Sequence, residues 1–247
     1  MTSLIEASAR AVAGPGVVVE GVTPAMGPAS IESHYDEALA VPGLLAEVAT
    51  GERDGADGYV IACFGDPGLD AAREIAAGPV VGIAEAAMHA AALLGRGFSV
   101  VTTLSRTRGR ASDLAHRYVG AGACKGIHAC EIPVLELEDD PTVLPRVAAL
   151  AAHALETDGS DVIVLGCAGM ADLCSELSAR LGVPVIDGVA AATLMVQALV
   201  TLGLGTSKRE EYATPPAKRY SGILHGFMQP GSNVSRHPGV RAKEGLV

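Results

Sequence analysis

Short, continuously apolar runs alternate with longer stretches whose apolar residues recur at helical spacing. Val17–Val22, Tyr59–Cys63, Pro79–Ile83, Phe98–Thr103, Ile127–Val134 (broken near Pro133), Val162–Leu165 and Val183–Ile186 read as strands. Thr2–Ala13 has apolar residues at 4, 5, 8, 11 and 12, which predicts a helix. Further helices are predicted over Tyr35–Ala49, Ala84–Leu94, Thr107–Val119, Thr142–Thr157, Met170–Leu181 and Gly188–Leu202. Asp66-Pro67 reads as an N-cap followed by proline in the first turn, opening a helix to Ala77. Thr23–Ser33 is a loop rich in Pro, Gly and Ser, and Gly51–Gly58 a polar turn. Thr206–Ser221 reads as a charged surface excursion and Asn233–Val247 as a loose tail. Strands alternating with helices predict βαβ units and a parallel α/β sheet. Strands that are apolar throughout are those covered on both faces.

The pattern repeats. Val162–Met170 (VIVLGCAGM) has a near-copy at Val60–Gly68 (VIACFGDPG), so that Cys63 falls on Cys167 at an offset of 104 residues. Each copy is an apolar strand, a cysteine and a small-residue turn into a helix. Gly82 falls on Gly188 after a two-residue insertion. The expected architecture is two pseudo-symmetric parallel-sheet α/β domains, residues 1–95 with 204–247 and residues 96–203, with a site in the cleft between them. Ligands of open α/β sheets bind at the carboxyl ends of the strands, where both cysteines lie. Met1 aligns with Ser105, just past the Phe98–Thr103 strand. The second half therefore opens with a strand and the first with a helix. If the repeat holds, one N-terminal strand and its loop stand outside this sequence.

A cysteine beside a helix N-terminus is expected to have its thiol pKa drawn down from about 8.5. N–H groups in the turns Phe64-Gly65 and Ala168-Gly169 are placed to bind an oxyanion. Two such cysteines on opposite faces of a flat carbon acid make a two-base pair. One thiolate removes the proton and the other thiol returns one from the far side. Thr102 and Thr103 end a strand on the same side, where their hydroxyls could meet substrate or cap the strand. Asp187-Gly188 could bind a substrate N–H, although a cap on the following helix is the plainer reading. Cys124, Cys130 and Cys174 read as structural. His34 reads as surface, and His89 as packing or surface.

Composition narrows the chemistry. With 18 basic and 28 acidic residues the chain carries −10, which argues against a nucleic-acid groove or an anionic membrane partner. No run approaches the ~18 apolar residues of a spanning helix, and the start lacks the basic and apolar regions of a secretion signal, so a cytoplasmic location is expected. The 5 cysteines form no C-x-x-C pair and no zinc-like cluster, so neither a disulfide framework nor a metal is expected. Without a P-loop or a G-x-G-x-x-G turn after a strand, no nucleotide cofactor is expected. Aromatics are only 3%, which points to close packing of small side chains.

The segments TPAMGPASIESHYDE, ACFGDPGL, VVGIAEAA, VVTT, LGCAGM and VPVIDGVAAA resemble the aspartate/glutamate/hydantoin racemase superfamily over roughly residues 1–205, and its hydantoin and allantoin racemase branch in particular. The resemblance implies Cys63 and Cys167 as proton-transfer residues without PLP or metal. Phe64, Gly65, Ala168, Gly169, Thr102 and Thr103 would contribute to ring binding. A small hydantoin or ureide substrate and a homo-oligomer are also implied. Members usually begin with a strand ending in an Asn-Pro-Asn-Thr-type loop, and nothing here matches it. Two other readings stand beside the racemase: a maleate isomerase or arylmalonate decarboxylase type of enzyme using one of the cysteines, and a non-catalytic binder of small ureides.

Overall fold

The computed structural model describes residues 1–227, and the expected tail Asn233–Val247 lies outside them. Its helices are α1 (Thr2–Val12), α2 (His34–Asp54), α3 (Leu69–Ile75), α4 (Ile83–Leu94), α5 (Arg108–Val119), α6 (Val143–Asp158), α7 (Cys174–Leu181) and α8 (Gly188–Thr201). Its strands are β1 (Tyr59–Ile61), β2 (Val80–Gly82), β3 (Phe98–Thr102), β4 (Cys124–Ala129), β5 (Val162–Gly166) and β6 (Val185–Ile186). They form two parallel sheets, β1–β2 and β4–β3–β5–β6. The α/β class read from the alternation is the observed one.

The larger sheet explains why its strands are apolar throughout. Along β3 and β5, Phe98, Val100, Val162 and Val164 face α4, α5 and α8, against Met88, Leu114 and Val189. The alternate residues Val101, Ile163 and Leu165 face α6 and α7, against Val147, Ala151 and Leu177. Both faces are covered, as parallel sheets require. Alanine lets α4 and α8 approach closely. A Cβ on Gly188 would stand 2.5 Å from the Ile83 carbonyl oxygen, so that position needs glycine.

Several elements depart from the expectation. Val17–Val22 forms no strand: Val18 is 91% exposed, and the segment pairs with no strand among the described residues. It is held instead by Arg10, whose guanidinium donates twice to the Val19 carbonyl at 2.9 and 3.1 Å. β-propensity does not make a strand without a partner for its backbone groups. The polar turn at Gly51–Gly58 is mostly helix, because α2 runs on to Asp54 before Gly55 ends it in the left-handed region. β4 begins and ends earlier than expected, at Cys124 and Ala129, in register with β3. The helix expected from Met170 begins as a 3-10 segment, Ala168–Leu173, and α7 proper starts only at Cys174.

Asp66 is the most informative departure. It does not cap the helix that follows it, since α3 starts at Leu69 with Gly68 as its N-cap. Asp66 instead adopts φ +45° and turns its buried carboxylate to α4, accepting from Ala84 N at 3.0 Å and Glu85 N at 2.9 Å. Thr206–Ser221 is the surface excursion expected. It is anchored on α3 by Lys208, which reaches the Arg73 and Glu74 carbonyls, and by Tyr212, which donates to Asp70 at 2.9 Å. No helix of the described residues is long and apolar enough to cross a membrane.

Candidate active site

The two cysteine turns are built alike. β1 leads to Cys63, whose carbonyl accepts from Asp66 N at 2.9 Å. β5 leads to Cys167, whose carbonyl accepts from Met170 N at 3.1 Å. In each turn the backbone N–H two residues on, Gly65 or Gly169, favours negative charge on the cysteine sulfur. Both cysteines are half-buried residues whose thiols are desolvated. They are also within electrostatic reach of one another, because a charge on Cys167 disfavours one on Cys63.

The electrostatics differ from the expectation. Burial pushes the Cys63 thiol up to about 12, reinforced by the charges of Cys167, Asp66 and Glu37 and opposed by the Gly65 N–H. Burial likewise pushes Cys167 up to about 11, reinforced by Cys130 and Glu32 and opposed by the Gly169 N–H. The expected lowering is absent because desolvation outweighs the N–H donors. At neutral pH the resting pair is two thiols.

The remaining expected residues take varied places. The Phe64 ring is buried in the core beside α4, so this residue offers the site only its backbone. The Thr102 hydroxyl bonds the Gly166 carbonyl at 3.2 Å and meets Thr107 Oγ1 at 3.2 Å, which ties β3 to β5 directly behind Cys167. Thr103 is buried, and its carbonyl accepts from the Cys130 thiol at 3.7 Å. Ala168 and Gly169 are buried, with Leu137 Cδ1 3.1 Å and Met1 Cε 3.3 Å from the place of a Gly169 Cβ. The Asp187 carboxylate caps α8, accepting from Val189 N at 2.7 Å, Ala190 N at 3.3 Å and Ser8 Oγ at 2.6 Å. With three donors on two oxygens, the cap is the reading the geometry favours. Gly188 serves the packing of α8 on α4.

The sequence marked Ser33-His34-Tyr35 as a loop that could close over a ligand, but not the contacts of the strap formed by residues 32–37. Ser33 and Asp36 form a reciprocal N-cap on α2: Asp36 N donates to Ser33 Oγ at 3.1 Å, and Ser33 Oγ donates to Asp36 Oδ2 at 2.7 Å. This cap sets the two flanking carboxylates. Glu32 reaches the second sheet's side, where Oε1 accepts from Val134 N at 2.7 Å. Glu37 reaches Arg110 of α5, with Nη2 and Oε1 2.7 Å apart. The S-x-x-D spacing before α2 was a legible signal, but the contacts of Glu32 with Val134 and of Glu37 with Arg110 were not. His34 is exposed, 4.0 Å from Glu37. Among the described residues no group of His, Cys, Asp or Glu is clustered to hold a metal. A surface groove of about 550 Å³, lined by Arg108, His116 and Lys125, includes neither site cysteine.

The Asp/Glu/hydantoin racemase family profile matches residues 1–196. The chain belongs to this family. It is 49% identical over 205 residues to a hydantoin racemase of Rhizobium meliloti, covering 83% of this chain and 85% of that one. It is 44% identical over 228 residues to a hydantoin racemase of Pseudomonas sp. (strain NS671), covering 92% of each. Among solved structures, an allantoin racemase from Klebsiella pneumoniae superposes with TM-score 0.89 at 50% identity, covering 92% of this chain and 93% of that one. The family match thus runs from α1 into α8 and includes both cysteine turns.

Proposed function

We propose that this chain is a cofactor-independent racemase that interconverts the enantiomers of 5-monosubstituted hydantoins, allantoin among them, with Cys63 and Cys167 as its two bases. The observation that carries the reading is the pair of matched turns, in each of which the cysteine carbonyl accepts from the N–H three residues on, at 2.9 Å after Cys63 and 3.1 Å after Cys167. Relatives named hydantoin racemase and allantoin racemase support the substrate class. The division of the chain into residues 1–95 with 204–247 and residues 96–203 belongs to the same reading, with the substrate between the two.

In this reading one cysteine, as thiolate, takes the C5 proton and becomes a thiol. The electron pair left on carbon delocalises into the C4 carbonyl, where turn N–H groups stabilise the oxyanion. The other thiol delivers its proton to the opposite face and becomes the thiolate. The pair ends with its protonation states exchanged and is restored through solvent. Raised thiol pKa values make each thiolate a stronger base toward a weak carbon acid and make it scarcer at neutral pH.

The test is incubation of the intact chain with a single-enantiomer 5-substituted hydantoin in D₂O beside an enzyme-free blank. Loss of optical rotation together with C5 deuteration above the blank is expected. Binding without exchange would leave a ureide-binding protein instead.

A further inference from the structure

Arg110 stands on α5, yet it closes the turn that carries Cys63. Its Nε and Nη2 donate to the Gly65 carbonyl at 3.1 and 2.7 Å, and Nη2 lies 2.7 Å from Glu37 Oε1. The Glu37 carboxylate in turn lies 4.0 Å from where a Gly65 Cβ would be, and that same point is 3.8 Å from Cys63 Sγ. Arg110, Glu37 and the Cys63 turn are therefore one contiguous cluster, with both ionised side chains largely covered. A guanidinium fork on a backbone carbonyl fixes both distance and plane, which a lysine ammonium does not.

Among the described residues the other cysteine turn has no such clamp. The equivalent space beside Gly169 is occupied by the apolar atoms of Leu137 and Met1. The residues three positions after each cysteine also diverge, since Asp66 is a buried carboxylate bonded to α4 while Met170 is buried in the apolar core. The two turns match in backbone but not in what holds them.

We propose that Arg110 is a positioning residue for proton transfer at Cys63. It fixes the Gly65 peptide next to the thiol and neutralises Glu37, while leaving Cys167 untouched. The proposal rests on the racemase reading for its catalytic consequence, but not for its effect on the thiol. The groups that face Cys63 are Cys167, Asp66 and Glu37. Of these, Glu37 is the one that Arg110 neutralises. Without Arg110, the Glu37 charge would oppose the Cys63 thiolate uncompensated.

The test is site-resolved alkylation by iodoacetamide against pH, read by peptide mass spectrometry, on the intact chain and its Arg110→Met, Arg110→Lys and Arg110→Met/Glu37→Gln variants. Arg110→Met is expected to move the Cys63 profile to higher pH and leave Cys167 in place. Adding Glu37→Gln is expected to return Cys63 toward its original profile. Arg110→Lys, which keeps the charge but loses the fork, is expected to keep the profile while lowering racemisation. In the racemisation assay, Arg110→Met is expected to lower kcat/KM by up to about 100-fold, the scale of a misplaced reacting group. The loss must be equal in both directions because the equilibrium constant between enantiomers is one. An unchanged Cys63 profile in Arg110→Met, or an equal shift of both cysteines, would overturn the proposal. An intact chain without racemase activity would overturn the proposed function and leave the alkylation arm decisive for Arg110.

Discussion

Asp66 Oδ1 accepts the Ala84 N–H at 3.0 Å, so the carboxylate three residues after Cys63 closes the N-terminus of α4 rather than that of its own helix. Tyr118 of α5 donates to the other oxygen at 2.9 Å, and Glu85 N reaches the same atom. One side chain thus joins the first cysteine turn to two helices. Asp66→Ala would leave two buried N–H groups and a hydroxyl without their acceptor. It is expected to lower the unfolding free energy by about 2 kcal/mol in urea titration.

The same carboxylate gives a pH dependence of stability. Burial pushes its pKa up to about 6, against 3.8 for an ordinary aspartate, although its three donors favour the charge. Between those values the folded chain binds more protons than the unfolded one. Its contribution is present below the unfolded value and lost as pH rises through about 6. Urea midpoints of the intact chain are expected to fall from pH 4 toward pH 6 more steeply than those of Asp66→Asn, which cannot ionise.

Catalysis is expected to follow the opposite course with pH. With Cys63 raised to about 12 and Cys167 to about 11, the mixed thiolate–thiol pair is scarce at neutrality. kcat/KM is therefore expected to climb by about tenfold per pH unit from 7 to 9, the slope of a single deprotonation. A flat profile over that range would contradict the raised thiols.

The strap supplies a further expectation. The Glu32 charge disfavours the Cys167 thiolate, and its carboxylate holds the Val134 N–H. Glu32→Gln keeps an acceptor for that N–H and removes the charge. Iodoacetamide is expected to alkylate Cys167 at lower pH in this variant while the Cys63 profile stays in place.

Much of this was legible in the chain. The α/β class followed from the alternation of elements, and the equivalence of Cys63 and Cys167 followed from a repeat that needs no structure to see. Asp187 as a cap could be weighed from its place before an alanine-rich helix. What failed were inferences that stop at neighbours in sequence. Val17–Val22 has strand composition, but pairing is a property of what lies alongside. Asp66-Pro67 has the chemistry of a cap, but a positive φ at Asp66 turned the carboxylate to a different helix. The thiols stand beside N–H donors, but burial decided their direction. The contacts of Glu32, Glu37 and Arg110 were not legible because they join residues far apart in the chain.

The central claim is that Cys63 and Cys167 act as one pair from opposite faces of the substrate. The direct measurement is racemisation and C5 deuteration of each pure hydantoin enantiomer in D₂O by the intact chain, Cys63→Ser and Cys167→Ser. Both variants are expected to lose racemisation, and any deuterium exchange that survives is expected with one enantiomer in one variant and with the other enantiomer in the other. Full racemisation by either serine variant would contradict the account.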